Sequence, residues 1–116
     1  MTAILSDSDL AELGHQHPAW MIDEPRKALH RRLTFATFGE ALAAMVRIGV
    51  EADKADHHPE WSNVYGTIDI WLTTHDVDGI SHRDVSLARA IDGMFPEGHS
   101  SETASTNRPE AGNQPS

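Results

Sequence analysis

"EWSNVYGTIDIWLTTHD", residues 60–76, carries two strand-like runs on either side of a Tyr-Gly pair. In its second half Ile68, Ile70 and Leu72 share one parity, and Thr67, Asp69, Trp71, Thr73 and His75 share the other. A period of two marks a half-buried strand. Tyr65-Gly66 is the turn, so the stretch reads as two strands in a tight hairpin.

Upstream, "ALHRRLTF" (28–35) repeats that alternation, with Leu29, Leu33 and Phe35 opposite His30, Arg32 and Thr34. It predicts another half-buried strand, and "AWMID" (19–23) predicts a short one before it. Between these strands and the hairpin the period changes. Thr37 is a candidate cap for "FGEALAAMVRIGVEADK", and Glu40 three residues later completes a capping box. On a helical wheel Phe38, Leu42, Met45 and Gly49 form one stripe, flanked by Ile48 and Ala52 on one side and Val46 and Val50 on the other. That arc is wider than one sheet contact needs, so the helix is either sandwiched within the monomer or meets another subunit.

"SDSDLAEL" opens with good caps and predicts a short helix over Asp7 to Leu13. After the hairpin, "DVDG" (76–79) is a turn with Gly79 free to take positive φ. Ser81 with Asp84 three residues on caps a last helix whose apolar face is Leu87, Ala88, Ile91 and Met94. The order α-β-β-α-β-β-α predicts an α+β fold: an antiparallel four-stranded sheet with helices packed on one face.

A chain of 116 residues holds one compact domain, and 39% hydrophobic residues allow a modest core that oligomerisation would help. Cysteine is absent, which excludes disulfides and thiolate metal sites. No apolar run approaches the roughly 20 residues needed to cross a bilayer. "MTAILSDSDLAEL" lacks the basic start and apolar stretch of a signal peptide, so the expected location is cytoplasmic. The formal charge of −9 repels phosphate backbones and disfavours direct nucleic-acid binding. Residues 97–116, "EGHSSETASTNRPEAGNQPS", have nothing large and apolar to bury and are expected to form a disordered tail behind a domain of residues 1–96.

The chemistry concentrates at "DKADHHPEW" (53–61), where His57 and His58 stand side by side. Imidazole titrates nearest neutrality, so such a pair points to proton transfer, metal binding or an idle polar loop. His75 is predicted at the end of the last strand, on its polar face, and the hairpin allows the three imidazoles to meet. Catalytic zinc is disfavoured, because adjacent residues on an extended chain point apart and the usual i,i+2 or i,i+4 ligand spacing is missing. Trp61 and Tyr65 read equally as core aromatics or pocket lining. His15, His17, His30, His82 and His99 are expected on the surface, and Asp84 reads first as a helix-capping acid.

The spacing Asp53, "KAD", His57-His58-Pro59, Tyr65 after five residues, His75 after nine and Asp84 after eight resembles the signature of the pterin-4a-carbinolamine dehydratases, also called dimerisation cofactors of homeodomain proteins. "HHPEW", "VY", "THD" and "RD" look like the family in detail, and Trp20, Leu33, Phe35 and Phe38 extend the likeness over residues 5–95. Gly66 departs from the Asn that many members carry after the Tyr, and Val77 from the Cys of the animal proteins.

The resemblance implies an enzyme that dehydrates a 4a-hydroxytetrahydropterin to the quinonoid dihydropterin, with no metal and no cofactor. It implies His58 as principal base, with His57 and His75 protonating or holding the leaving hydroxyl. Pro59 and Trp61 would shape the pocket. Asp56 and Asp84 are candidates to orient imidazoles or to position Arg83, which would touch the pterin edge. A homodimer or homotetramer is expected. The rival class is a non-enzymatic oligomeric interaction or scaffold protein of the same fold, for which the three histidines would be unnecessary.

Overall fold

The computed structural model describes residues 3–96. The expected disordered tail, 97–116, and His99 lie outside the described residues. The elements run α1 (Asp7–Gln16), β1 (Met21–Asp23), β2 (Ala28–Thr34), α2 (Phe38–Ala55), β3 (Glu60–Val64), β4 (Thr67–Leu72) and α3 (His82–Met94), with a single 3-10 turn at His75–Val77. The sheet is antiparallel throughout, in the order β1-β2-β4-β3. The α+β fold with an antiparallel four-stranded sheet stands as expected.

Register explains the two faces. Leu29 pairs with Leu72, Arg31 with Ile70, and Leu33 with Ile68, so these side chains share the inner face. All six are buried, beneath Ala41, Ala44, Ile48 and Ala52 of α2 and Leu87, Ala88 and Ile91 of α3. The opposite face carries His30, Arg32, Asp69 and Trp71. There Asp69 accepts from Arg32 Nε and is bonded to His30 Nε2, at 2.9 and 2.8 Å.

One inner position is charged. The alternation grouped Leu29 with Leu33 and passed over Arg31 between them. Its buried guanidinium donates to Asp92 Oδ1 at 2.5 Å and to the Phe95 carbonyl at 2.7 Å, tying β2 to the end of α3. Asp92 also accepts from Trp20 Nε1, and His17 Nδ1 lies 2.9 Å from its other oxygen. His17 and His30 are therefore half-buried partners of carboxylates rather than the surface residues expected.

The face that α2 turns inward also differs from the expectation. It buries Ala41, Ala44, Ile48 and Ala52 and leaves Phe38, Leu42, Val46 and Val50 between 48% and 60% exposed. Small alanines let the helix axis approach the layer beneath, and the bulky residues of the wide arc are left outside. The capping box is half formed. Thr37 Oγ1 accepts from Glu40 N–H at 3.1 Å, but the Glu40 carboxylate accepts from Ala36 N–H instead of Thr37.

α1 runs three residues past its expected end. The first strand shortens to Met21–Asp23, and Phe35 falls just beyond β2.

Two loops correct the sequence in a related way. In the hairpin Tyr65 takes positive φ (53°), and Gly66 does not. Gly66 is needed for space, since a Cβ there would collide with the Phe35 carbonyl. After the 3-10 turn Asp78 takes the left-handed conformation (φ 55°) expected of Gly79, whose missing Cβ makes room for Ile4.

Candidate active site

His57 is placed by the way α2 ends. Asp56 adopts the left-handed conformation (φ 54°), its N–H donates to Asp53 C=O, and His57 N–H donates to Ala52 C=O, both at 3.1 Å. This pair of bonds is a Schellman motif, with aspartate where glycine is commoner. It turns the chain sharply and sends the His57 side chain inward, where it is buried.

There His57 Nε2 meets Asp84 Oδ1 at 2.6 Å. Asp84 is fully buried at the third position of α3. Its second oxygen accepts from Ser81 N–H at 2.9 Å and from Thr74 Oγ1 at 2.8 Å. The Ser81 hydroxyl lies 2.6 Å from that of Thr74 and accepts from Arg83 N–H. The expected capping box at Ser81 and Asp84 is therefore present, and its acid holds an imidazole as well. A buried carboxylate is tolerable only with such partners.

The other two histidines have different surroundings. His58 is 63% exposed, with Nε2 3.7 Å from Asp53. His75 is 79% exposed and lies not in a strand but in the 3-10 turn after β4, where its Nε2 is 2.9 Å from Glu60 Oε2. The loop that carries it is closed by Thr74 N–H to Gly79 C=O at 2.8 Å, so Thr74 anchors both Asp84 and the His75 turn. His57 and His75 each bond a carboxylate of their own, His58 lies beyond hydrogen-bond distance of Asp53, and no imidazole bonds another among the described residues.

Of the remaining candidates, Pro59 is half-buried and Trp61 packs partly buried against the core. Arg83 is exposed on the first turn of α3. Asp56 caps the helix and is exposed, and its carboxylate is bonded to none of the imidazoles. Tyr65 is 82% exposed at the hairpin tip, so it is neither core nor wall of a pocket within the monomer. Among the described residues no group of three or more His, Asp or Glu side chains is arranged to hold a metal ion.

Glu60, Thr74 and the Ser81 hydroxyl were missed as partners of this cluster. Thr74 carried a signal: it continues the parity of Ile68, Ile70 and Leu72, which puts a polar residue on a buried position. Glu60 carried none, because its neighbourhood depends on the turn after β4.

The arrangement is suited to moving protons. One imidazole is held by a buried acid, and two more are open to solvent, each near a carboxylate.

Residues 3–94 match the family profile described as Pterin 4 alpha carbinolamine dehydratase. A relative from Rhizorhabdus wittichii, provisionally named pterin-4-alpha-carbinolamine dehydratase, is 48% identical over 90 residues, covering 78% of this chain and 93% of its own. One from Rhodospirillum rubrum with the same provisional name is 47% identical over 92 residues, covering 79% and 96%. The crystal structure of a transcriptional coactivator/pterin dehydratase from Brucella melitensis superposes with a TM-score of 0.76 at 32% identity, over 79% of this chain and 98% of that one.

Proposed function

This chain belongs to the pterin 4 alpha carbinolamine dehydratase family, a family of hydro-lyases, and from that premise we propose that it removes water from a 4a-hydroxytetrahydropterin to give the quinonoid dihydropterin. The reaction breaks the C4a–O bond and the N5–H bond. A base takes the N5 proton and an acid gives one to the departing hydroxyl, so the protein ends with the same number of protons as it began. The base is regenerated by exchange with solvent. Imidazoles suit both tasks at neutral pH, where each form is accessible.

The observation that carries this reading is the buried His57–Asp84 pair, directly followed in sequence by the exposed His58. We assign His58 as the principal base and His57 and His75 as groups that protonate or hold the leaving hydroxyl. Pro59 and Trp61 shape the pocket, Arg83 meets the pterin edge, and Asp84 orients His57. The protein works in the cytoplasm, without metal or cofactor. Among the described residues no helix is long and apolar enough to cross a membrane. The test is a series of single histidine-to-alanine variants assayed on enzymatically generated 4a-hydroxytetrahydropterin.

Assembly is part of the same reading. The exposed row Phe38, Leu42, Val46 and Val50 repeats every four residues along α2 and favours packing against a second copy, as a homodimer or homotetramer. The Brucella melitensis neighbour is named a transcriptional coactivator as well as a pterin dehydratase, which supports a second reading of this chain as an oligomeric interaction protein. Charge-reversing variants on that row separate the two, since a scaffold role depends on the row and dehydration depends on the histidines.

A further inference from the structure

We propose that Thr74 and Ser81 are positioning residues whose hydroxyls pass hydrogen bonds in one direction to Asp84 and thereby fix the tautomer of His57, leaving Nδ1 as the nitrogen that meets substrate. The role toward substrate rests on the dehydratase reading; the tautomer does not.

The direction of the chain follows from counting protons. A hydroxyl has one proton to donate, and Thr74 Oγ1 sits 2.8 Å from an acceptor-only carboxylate oxygen, Asp84 Oδ2. Thr74 therefore cannot also donate to Ser81 Oγ, 2.6 Å away, and Ser81 is the donor in that bond. Ser81 Oγ in turn accepts from the Arg83 N–H at 3.2 Å. The sequence Arg83 N–H, Ser81 hydroxyl, Thr74 hydroxyl, Asp84 Oδ2 satisfies each of these groups and permits only one orientation.

The consequence lies at the other carboxylate oxygen. Asp84 Oδ2 already receives two protons in hydrogen bonds, from Thr74 and from Ser81 N–H, so it carries none of its own. Asp84 also stands in the first turn of α3, where the helix favours an anion. Across the 2.6 Å contact between Oδ1 and His57 Nε2, an acceptor-only carboxylate leaves the imidazole as the donor. His57 then donates through Nε2, and in its neutral form Nδ1 is bare. When Nδ1 takes a proton, the imidazolium faces a carboxylate, and the proton leaves again through the same atom. Any exchange between His57 and substrate runs through Nδ1.

Removing the Thr74 hydroxyl leaves the Ser81 proton without its acceptor and Asp84 Oδ2 held by Ser81 N–H alone, so the carboxylate turns more easily. The test is nitrogen NMR of the full chain with 15N-labelled histidine, with His57 assigned from the signals missing in His57→Gln. The expected result for the neutral ring is a protonated, pyrrole-type Nε2 and a bare, pyridine-type Nδ1. Thr74→Val should show both tautomers and lower kcat by about 10–100-fold, the usual cost of losing an outer partner, with KM changed by less than about twofold. Thr74→Ser should restore both. If Thr74→Val does not fold, Ser81→Ala, which removes the donor to Thr74, should show the same mixing of tautomers. A wild-type His57 protonated mainly at Nδ1 overturns the proposal, as does a folded Thr74→Val with wild-type tautomer and kcat. An inactive wild type would refute the dehydratase reading and leave the NMR result to decide the tautomer.

Discussion

His57 Nε2 and Asp84 Oδ1 lie 2.6 Å apart although 27 residues separate them in the chain, and the contact joins the end of α2 to the start of α3. One carboxylate thus closes a helix cap, ties two helices together and orients an imidazole.

Asp84→Ala should therefore destabilise the fold strongly. It strips the acceptor from His57 Nε2, Thr74 Oγ1 and Ser81 N–H, all at buried positions. Leaving a buried donor without its acceptor costs roughly 1–3 kcal/mol, and here three donors lose theirs. Denaturant unfolding should show that loss, and a loss below about 1 kcal/mol would mean that water replaces the carboxylate easily.

The exposed row on α2 predicts association. Light scattering at micromolar concentration should give a multiple of the 12.8 kDa chain, and Leu42→Glu with Val46→Glu should shift the mass toward the monomer. A wild-type protein that stays monomeric would show that the row packs on nothing.

Asp69 predicts an acid limb of stability. Burial pushes its carboxyl up, but hydrogen bonds from Arg32 and His30, with their charges, outweigh it and hold it below its ordinary 3.8. A depressed folded value stabilises above the unfolded value and is lost as pH falls through the folded one. The difference in Tm between wild type and Asp69→Asn should shrink as pH drops below 3.8. A difference that persists unchanged into strong acid would remove the ionised carboxylate from the account.

The histidine variants should differ in degree. His58→Ala should lower turnover by roughly 10²–10⁴-fold, the contribution of one general acid–base group. His57→Ala and His75→Ala should each cost less, and the double variant more than the product of the two, because groups sharing one task are not additive. Full activity in His58→Ala would move the principal base elsewhere.

Much of this molecule was legible in the sequence. Alternation located β2 and the hairpin, and Ser81 with Asp84 announced the start of α3, because those signals are local. What stayed hidden depended on neighbours distant in the chain. Arg31 looked like a strand residue among apolar ones, and only Asp92 and the end of α3 explain its burial. The wheel of α2 centred its apolar arc on Phe38, Leu42, Met45 and Gly49 with Ile48 and Ala52 on a flank, whereas packing turned Ala41, Ala44, Ile48 and Ala52 inward and left Phe38 outside. His57, His58 and His75 were singled out by spacing, but the pairing of His57 with Asp84 rather than with another imidazole required the turn at Asp56. Thr74 could have been found by parity alone.

The most direct measurement is the rate at which the purified wild-type chain dehydrates 4a-hydroxytetrahydropterin, generated in the cuvette by a pterin-dependent hydroxylase and followed by the absorbance of the quinonoid product. The account predicts a rate that rises in proportion to the protein added, above the uncatalysed reaction, and that is unchanged by chelators. A rate no faster than the uncatalysed dehydration at every protein concentration would contradict it.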